Sequence, residues 1–439
     1  MSRFSLVLFL AAAAAAGTAC SSGGGGGPDA SVAACPAPSG TGTSHGGDTI
    51  VADTTWSAAD SPHEITFGFK VAKGATLTIE PCAKVVFKGG YGISVEGSLV
   101  ARGTQSQPIT FDSSVPATPW GNLIGYSGTI DLAYATLTNG GSTDAVGPEA
   151  VVEVRGDSSL PRQALLTVDH VTIDGSKQYG VSLKQGAVFS AGSQALTIKN
   201  AELGPVRTSP RLAGSIPAGA YTGNVVDEIV VVGDEDLSED TTFHDRGVPY
   251  RLGDSRRNGK DLLIGTNHTP IQHAVLTVEA GVTIRVQTEG WIRTHSDSGA
   301  STGAIDARGT AEKPIVFTSA APTPAAGDWV GLYFDAYDAA DALDHVRVEY
   351  AGGWTGTKGY HCDDAGGNNE EDRGAVLVFS EPPSSFLTNS TLAHSAFFGV
   401  DRGWKGGEVD FAATNTFTDV AKCKQSRPLA DQCAVASCQ

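Results

Sequence analysis

The densest gathering of reactive side chains lies between Gly352 and Arg373, where Tyr360, His361, Cys362, Asp363 and Asp364 are followed by Glu370, Glu371 and Asp372. Carboxylates on one loop offer the oxygen ligands that a hard cation such as Ca2+ prefers. Asp363, Asp364, Glu370, Glu371 and Asp372 therefore form a candidate calcium loop. Hydrolysis of a sugar bond needs two carboxyl groups on either side of it. Asp363 and Asp364 are accordingly the catalytic candidates. A third reading is a solvated loop, the ordinary fate of a charge run in an acidic chain. A loop at the corresponding point of the first half, Gly140 to Glu149, carries only Asp144 and Glu149 as acids.

Aromatic residues suggest a second kind of chemistry. Trp354, Tyr360 and Trp404 sit among glycines and polar residues and have no counterpart in the first half. Exposed rings on a rigid face can stack on the apolar side of a sugar ring, and rings at the end of a repetitive fold can instead close its core. Trp120 and Trp329 stand at matching places in the two halves, which marks them as repeated packing residues. The ten histidines show no HxH or HExxH spacing, and there is no GxSxG to anchor a serine nucleophile.

The elements that position these residues follow from a long repeat. Ala75 to Cys82, read ATLTIEPC, answers Ala274 to Gly281, read AVLTVEAG. Ala101 to Thr104 followed by Pro108 to Phe111 answers Ala307 to Thr310 followed by Pro314 to Phe317. Trp120-Gly121 answers Trp329-Val330-Gly331, Leu132 to Gly141 answers Leu343 to Gly353, and Gly180-Val181 answers Gly399-Val400. Two halves are expected, 48–226 and 227–425, with an irregular joint over about 200–272 and a cysteine-containing tail over 426–439. Within each half a shorter period appears: Leu77 and Ile79 alternate with threonine, and the form recurs at Leu99 and Ala101. Val85 and Phe87 recur likewise at Ile109 and Phe111. Short alternating strands between Gly, Pro and Asn turns describe coils of a parallel β-solenoid, in which stacking completes a core that one coil cannot close. A β-propeller or sandwich is the competing architecture.

Composition narrows the function. The chain has 439 residues, 48 acidic against 30 basic, for a formal charge of −18. No basic face is available for nucleic acid. Arg3, the apolar run Phe4 to Ala16 and the small residues Gly17, Thr18 and Ala19 read as a signal peptide over 1–19, too short to span a bilayer. Small residues directly before Cys20, with Ser and Gly after it, resemble a bacterial lipoprotein signal. That resemblance implies lipidation at Cys20 and a membrane partner through the lipid, with outer-membrane or cell-surface display expected and a secreted or periplasmic protein as the alternative. Residues 20–47 form a flexible Gly/Ser/Pro tether. Cys35, Cys82, Cys362, Cys423, Cys433 and Cys438 make an even set in an exported chain, which favours disulfides over zinc. Cys35 with Cys82 would tie the tether to the first coils, and Cys433 with Cys438 would close a small C-terminal loop.

The string LTIEP, a strand ending in ARGT, PITF or PIVF and then Trp-Gly resemble the right-handed parallel β-helix proteins of the pectin-lyase-like superfamily, over about 375 residues. The resemblance implies the fold. It leaves activity open, because that superfamily holds polysaccharide lyases, glycoside hydrolases and proteins without catalysis. Its lyases use Arg or Lys as base, and Lys84 and Arg285 lie in corresponding strands but at different positions. Its hydrolases typically carry Gly-His-Gly with a separate Asp-Asp, of which only Asp363-Asp364 is present. The expected function is a non-enzymatic exported β-helix that contacts carbohydrate, envelope components or protein, with a polysaccharide lyase or glycoside hydrolase as the alternative.

Overall fold

The computed structural model describes residues 34–37, 41–142, 149–233, 235–254, 259–356, 372–404, 409–427 and 435–438. The chain winds through successive three-strand coils, whose strands pair in parallel with their counterparts one coil away, while Ser296–Asp297 with Ala300–Ser301 and Ser426–Arg427 with Val435–Cys438 pair antiparallel. Alternation sets which side chains point inward. In Thr76–Ile79, Leu77 and Ile79 are buried while the threonines are half-buried. In Ile109–Ser113, Ile109 and Phe111 are fully buried, as the sequence period requires. Parallel sheets with one apolar face each must close on one another.

One sheet of fourteen strands runs the length of the molecule, from Thr49–Ile50 to Thr416–Thr418. Four shorter sheets complete the coils, with eight and six strands in the first half and five and five in the second. A single apolar core extends from Trp56 and Ile65 to Val400, Trp404 and Phe411. The two halves therefore share one continuous interior.

The repeat is shifted by one strand across the joint. Ile109–Ser113 lies in the eight-stranded sheet, but its sequence counterpart Ile315–Ser319 lies in the long sheet. Ala150–Arg155 lies in the long sheet, and its counterpart Gly374–Val378 lies in a five-stranded one. The change is made where a short 3-10 helix, Pro210–Ser215, takes a strand's place and packs against both Ala187–Phe189 and Thr241–Phe243. The long sheet crosses this joint unbroken through Gly204–Thr208, Ile229–Val231 and Tyr250–Leu252.

Corners between strands are tight. Tyr134 and His170 adopt left-handed φ values of 43° and 53°, and their rings stack at 4.7 Å. Tyr350 and His394 make the same arrangement in the second half, stacked at 4.8 Å. A left-handed residue costs conformational energy, and ring stacking on the next coil offsets part of it.

Both ends of the core are closed. At the N-terminal end His45, Trp56 and His63 stack, with His45 and Trp56 centroids 4.2 Å apart and Trp56 and His63 4.9 Å apart. His63 Nε2 lies 2.8 Å from the Ser57 carbonyl, so it carries the proton and donates. Its Nδ1 then accepts from His45 Nε2 at 3.1 Å. The disulfide Cys35–Cys82 fastens the preceding segment beside these coils. At the C-terminal end the buried Arg402 donates from Nε to the Ser426 carbonyl and from Nη1 to the Val409 carbonyl. Cys423 is also disulfide-bonded. Cys362 and Cys433 lie outside the described residues, and with Cys433 the expected Cys433–Cys438 pair.

Candidate functional site

The two sequence-inserted loops leave from the same structural corner. Ser142 donates its amide to Trp120 O at 2.8 Å, and Gly353 donates to Trp329 O at 2.9 Å. Gly141 and Gly352, at φ 77° and 87°, make the turn. A Cβ on Gly141 would stand 2.7 Å from Ser176 Oγ, and one on Gly352 would stand 2.6 Å from Ser395 Oγ. Those serines are themselves equivalent, donating to the Tyr179 and Phe398 carbonyls. Only glycine fits either corner.

The acidic loop itself, with the candidate residues Tyr360, Cys362, Asp363, Asp364, Glu370 and Glu371, lies outside the described residues. Asp372, at its end, is half-buried. Trp354, at its start, is 61% exposed. Trp404 is different: it is 5% exposed and belongs to the core, with Phe411 at 6.4 Å. It closes the last coils and presents no ring to a ligand, because an indole that seals a solenoid end must face inward. Among the described residues no group of three or more His, Cys, Asp or Glu side chains is placed to hold a metal ion. Lys84 points to solvent, and Arg285 is held by Glu228.

The outer face of the long sheet carries built features in three parts. At the N-terminal end, over Thr49–Ile50, Phe69–Val71 and Ile93–Val95, lies an open groove of about 370 Å3. Gly47, Gly68, Gly90 and Gly92 form its floor, so a ligand can approach the backbone. Gly92 lies so near Asn122 that a Cβ there would be 2.2 Å from the Asn122 carbonyl oxygen. Polar groups come from Asp48, Thr49, Ser94 and Asn122, and Lys70 is tied to Glu96 at 2.5 Å. Phe67, 58% exposed, and Tyr91, 36% exposed, stand at the edge with centroids 5.0 Å apart.

These edge rings were not singled out by the sequence reading. A signal was present: Phe67-Gly68 and Tyr91-Gly92 repeat an aromatic-glycine pair 24 positions apart, the period already visible at Val85 and Ile109. Register carries it into space, since Phe69 pairs with Ile93 and the preceding residues align with them.

The middle of the face is a buried ion network. Glu153, Ser182 and Arg207 occupy one row across three neighbouring strands and are all buried. Glu153 is held by Arg155 and by Lys184 at 3.1 Å, and accepts the Glu149 amide. Glu149 lies 3.2 Å from both Lys184 and Arg207. Every carboxylate here faces a cation, an arrangement that neutralises charge. Beyond it, at the joint, a smaller cleft is lined by Tyr179, Leu203, Val230, Glu228 and Arg251 among others.

His45 and Asp341 are among the groups whose acidity is shifted. Burial lowers His45 to about 4, with His63 adding to the effect. Burial raises Asp341 to about 7 even though the Asp338 and Ile305 amides donate to it. Neither lies on the outer face of the long sheet.

No curated protein and no solved structure matches the chain. The chain is a parallel β-helix, and its residues 267–336, which span the strands from Ala274–Val278 to Leu332–Phe334, match the family described as a pectate-lyase like beta helix domain.

Proposed function

We propose that this protein is a non-enzymatic, lipid-anchored β-helix that holds a neutral carbohydrate chain in the N-terminal groove of its long sheet. The observation that carries this reading is the pairing of two exposed, mutually packed rings, Phe67 and Tyr91, with a glycine-floored polar groove. Rings give a sugar an apolar platform, while Asp48, Thr49, Ser94 and Asn122 offer hydrogen-bond partners for hydroxyls. The groove lining contains one carboxylate, Asp48, whereas sugar hydrolysis needs two across the bond. Lys70 is neutralised by Glu96, so the lining favours a neutral glycan over an anionic one. Lipidation at Cys20 would place the solenoid at the envelope on its Gly/Ser tether, with the groove near the anchored end.

The test is a screen of the purified protein against immobilised neutral and acidic polysaccharides, with and without Ca2+, recording retention, reducing ends and unsaturated product together. Retention on a neutral glycan without product supports the proposal. Product release that disappears in Asp363→Ala or Asp364→Ala replaces it with the polysaccharide-degrading alternative.

A further inference from the structure

We propose that the cleft at the joint between the two halves is a binding site for a small organic acid, with Arg251 as its carboxylate receptor. This site is separate from the groove and does not depend on it. The cleft has a volume of about 150 Å3, the size of a cavity that accommodates benzene. Its walls are apolar where Tyr179, Leu203, Val226 and Val230 meet. Tyr179 and Val230 belong to a small apolar cluster on the outside of the sheet, distinct from the main core.

The charged groups of the cleft meet at Glu228. Glu228, buried, is shared by two guanidinium groups: Arg285 holds Oε1, and Arg251 Nη1 reaches Oε2 at 3.4 Å. The remaining carboxylates in the lining also face cations, Glu202 with Lys177 at 2.6 Å and Asp254 with Arg207, which Glu149 shares, at 3.7 Å. Asp227, next to Val226, turns to accept the Gly223 and Asn224 amides. Of the described residues that line the cleft, Arg251 is the guanidinium, and it shares its carboxylate with a second one. Among the described residues Arg251 contacts Glu228 through Nη1 and is part exposed, so its planar fork can receive a carboxylate. Phosphate would gain nothing from the apolar walls. A monocarboxylate on a compact apolar body uses both the charge and the walls.

The probe is benzoate, with benzamide as the neutral analogue of the same shape and inorganic phosphate as the hydrated anion. Titration calorimetry on the purified protein should show saturable benzoate binding, at least tenfold weaker binding of benzamide and of phosphate, and at least tenfold loss in Arg251→Gln. Because Arg251→Gln leaves Glu228 with one partner fewer, Val226→Asp serves as a second variant. It adds a negative charge at the half-buried cleft wall without removing a core contact and should weaken benzoate by a similar factor. Absence of benzoate binding, equal binding of benzamide or of phosphate, or benzoate binding unchanged in both variants overturns the assignment.

Discussion

Trp120 and Trp329 make the same hydrogen bond in the two halves of the molecule: each buried indole donates from Nε1 at 2.8 Å, one to the Thr138 carbonyl and the other to the Glu349 carbonyl. Each also accepts, through its own carbonyl, the amide of the residue that starts an inserted loop. The indole is thus the anchor of a corner that the fold uses twice, once in the first half and once in the second. Ring, backbone and loop start are locked together.

Trp120→Phe and Trp329→Phe should cost similar amounts of stability. Each removes a donor from a buried carbonyl, worth about 1–3 kcal/mol, in addition to the lost ring volume. Urea unfolding followed by circular dichroism measures both. Costs that differ by more than about 2 kcal/mol, the width of that range, would mean that the corners are not equivalent in energy.

Gly141→Ala and Gly352→Ala should destabilise by about 1–3 kcal/mol each, the range for a side chain forced into a left-handed conformation. The added methyl also meets a serine oxygen in both cases. Ser395→Ala, combined with Gly352→Ala, should recover part of the loss by removing that oxygen. No recovery in the double variant would assign the whole cost to the backbone.

The sequence made one half of this corner legible and hid the other. Trp120-Gly121 and Trp329-Val330-Gly331 could be aligned by type and order, and the alternation at Leu77, Ile79, Leu99 and Ala101 named inward residues correctly. The shift of the repeat by one strand was not legible. Which strand stacks on which across 200–272 depends on how many corners that irregular stretch makes, and the 3-10 helix at Pro210–Ser215 replaces a strand without any repeat signal. Trp404 could be read as platform or cap because residue type alone does not say which way a ring turns. The groove escaped notice for a related reason: its floor is glycine, which carries no chemistry until neighbouring coils bring Phe67 and Tyr91 together.

Acid should loosen the N-terminal end and alkali should act elsewhere. His45 titrates near 4 when folded and at its ordinary 6.5 when unfolded, because burial and His63 disfavour its charge while Asp48 opposes them. Between those values the unfolded state binds more protons, so stability falls as pH drops through that window. Asp341, raised by burial from 3.8 to about 7, has the opposite sign: the folded state keeps a proton that the unfolded state has lost, and stability falls as pH rises through that range. Hydrogen exchange at pH 4.5 and 7 should show faster opening of Thr43–His45 at the lower value and of Ala342–Asp344 at the higher. His45→Gln should flatten the first trend only and Asp341→Asn the second only; a variant that flattens both, or neither, contradicts the assignment.

Removing the Cys35–Cys82 bond should act locally. A disulfide of this kind contributes about 2–4 kcal/mol, and solenoid coils draw stability from their nearest neighbours. Cys35→Ala with Cys82→Ala should therefore lower exchange protection in Thr43–His45 and His63–Ile65 while leaving Ile315–Ser319 unchanged. Loss of protection throughout would show that the whole stack opens as one unit.

The central claim is that the Phe67–Tyr91 groove binds a neutral glycan, and the most direct measurement is the dissociation constant for the best-retained polysaccharide in wild type, in Phe67→Ala/Tyr91→Ala and in Arg251→Gln. Both rings are exposed, so their removal should leave the fold intact, as a near-unchanged unfolding midpoint would verify. The account predicts at least tenfold weaker binding in the ring variant and wild-type binding in Arg251→Gln. Glycan binding that survives loss of both rings would contradict it.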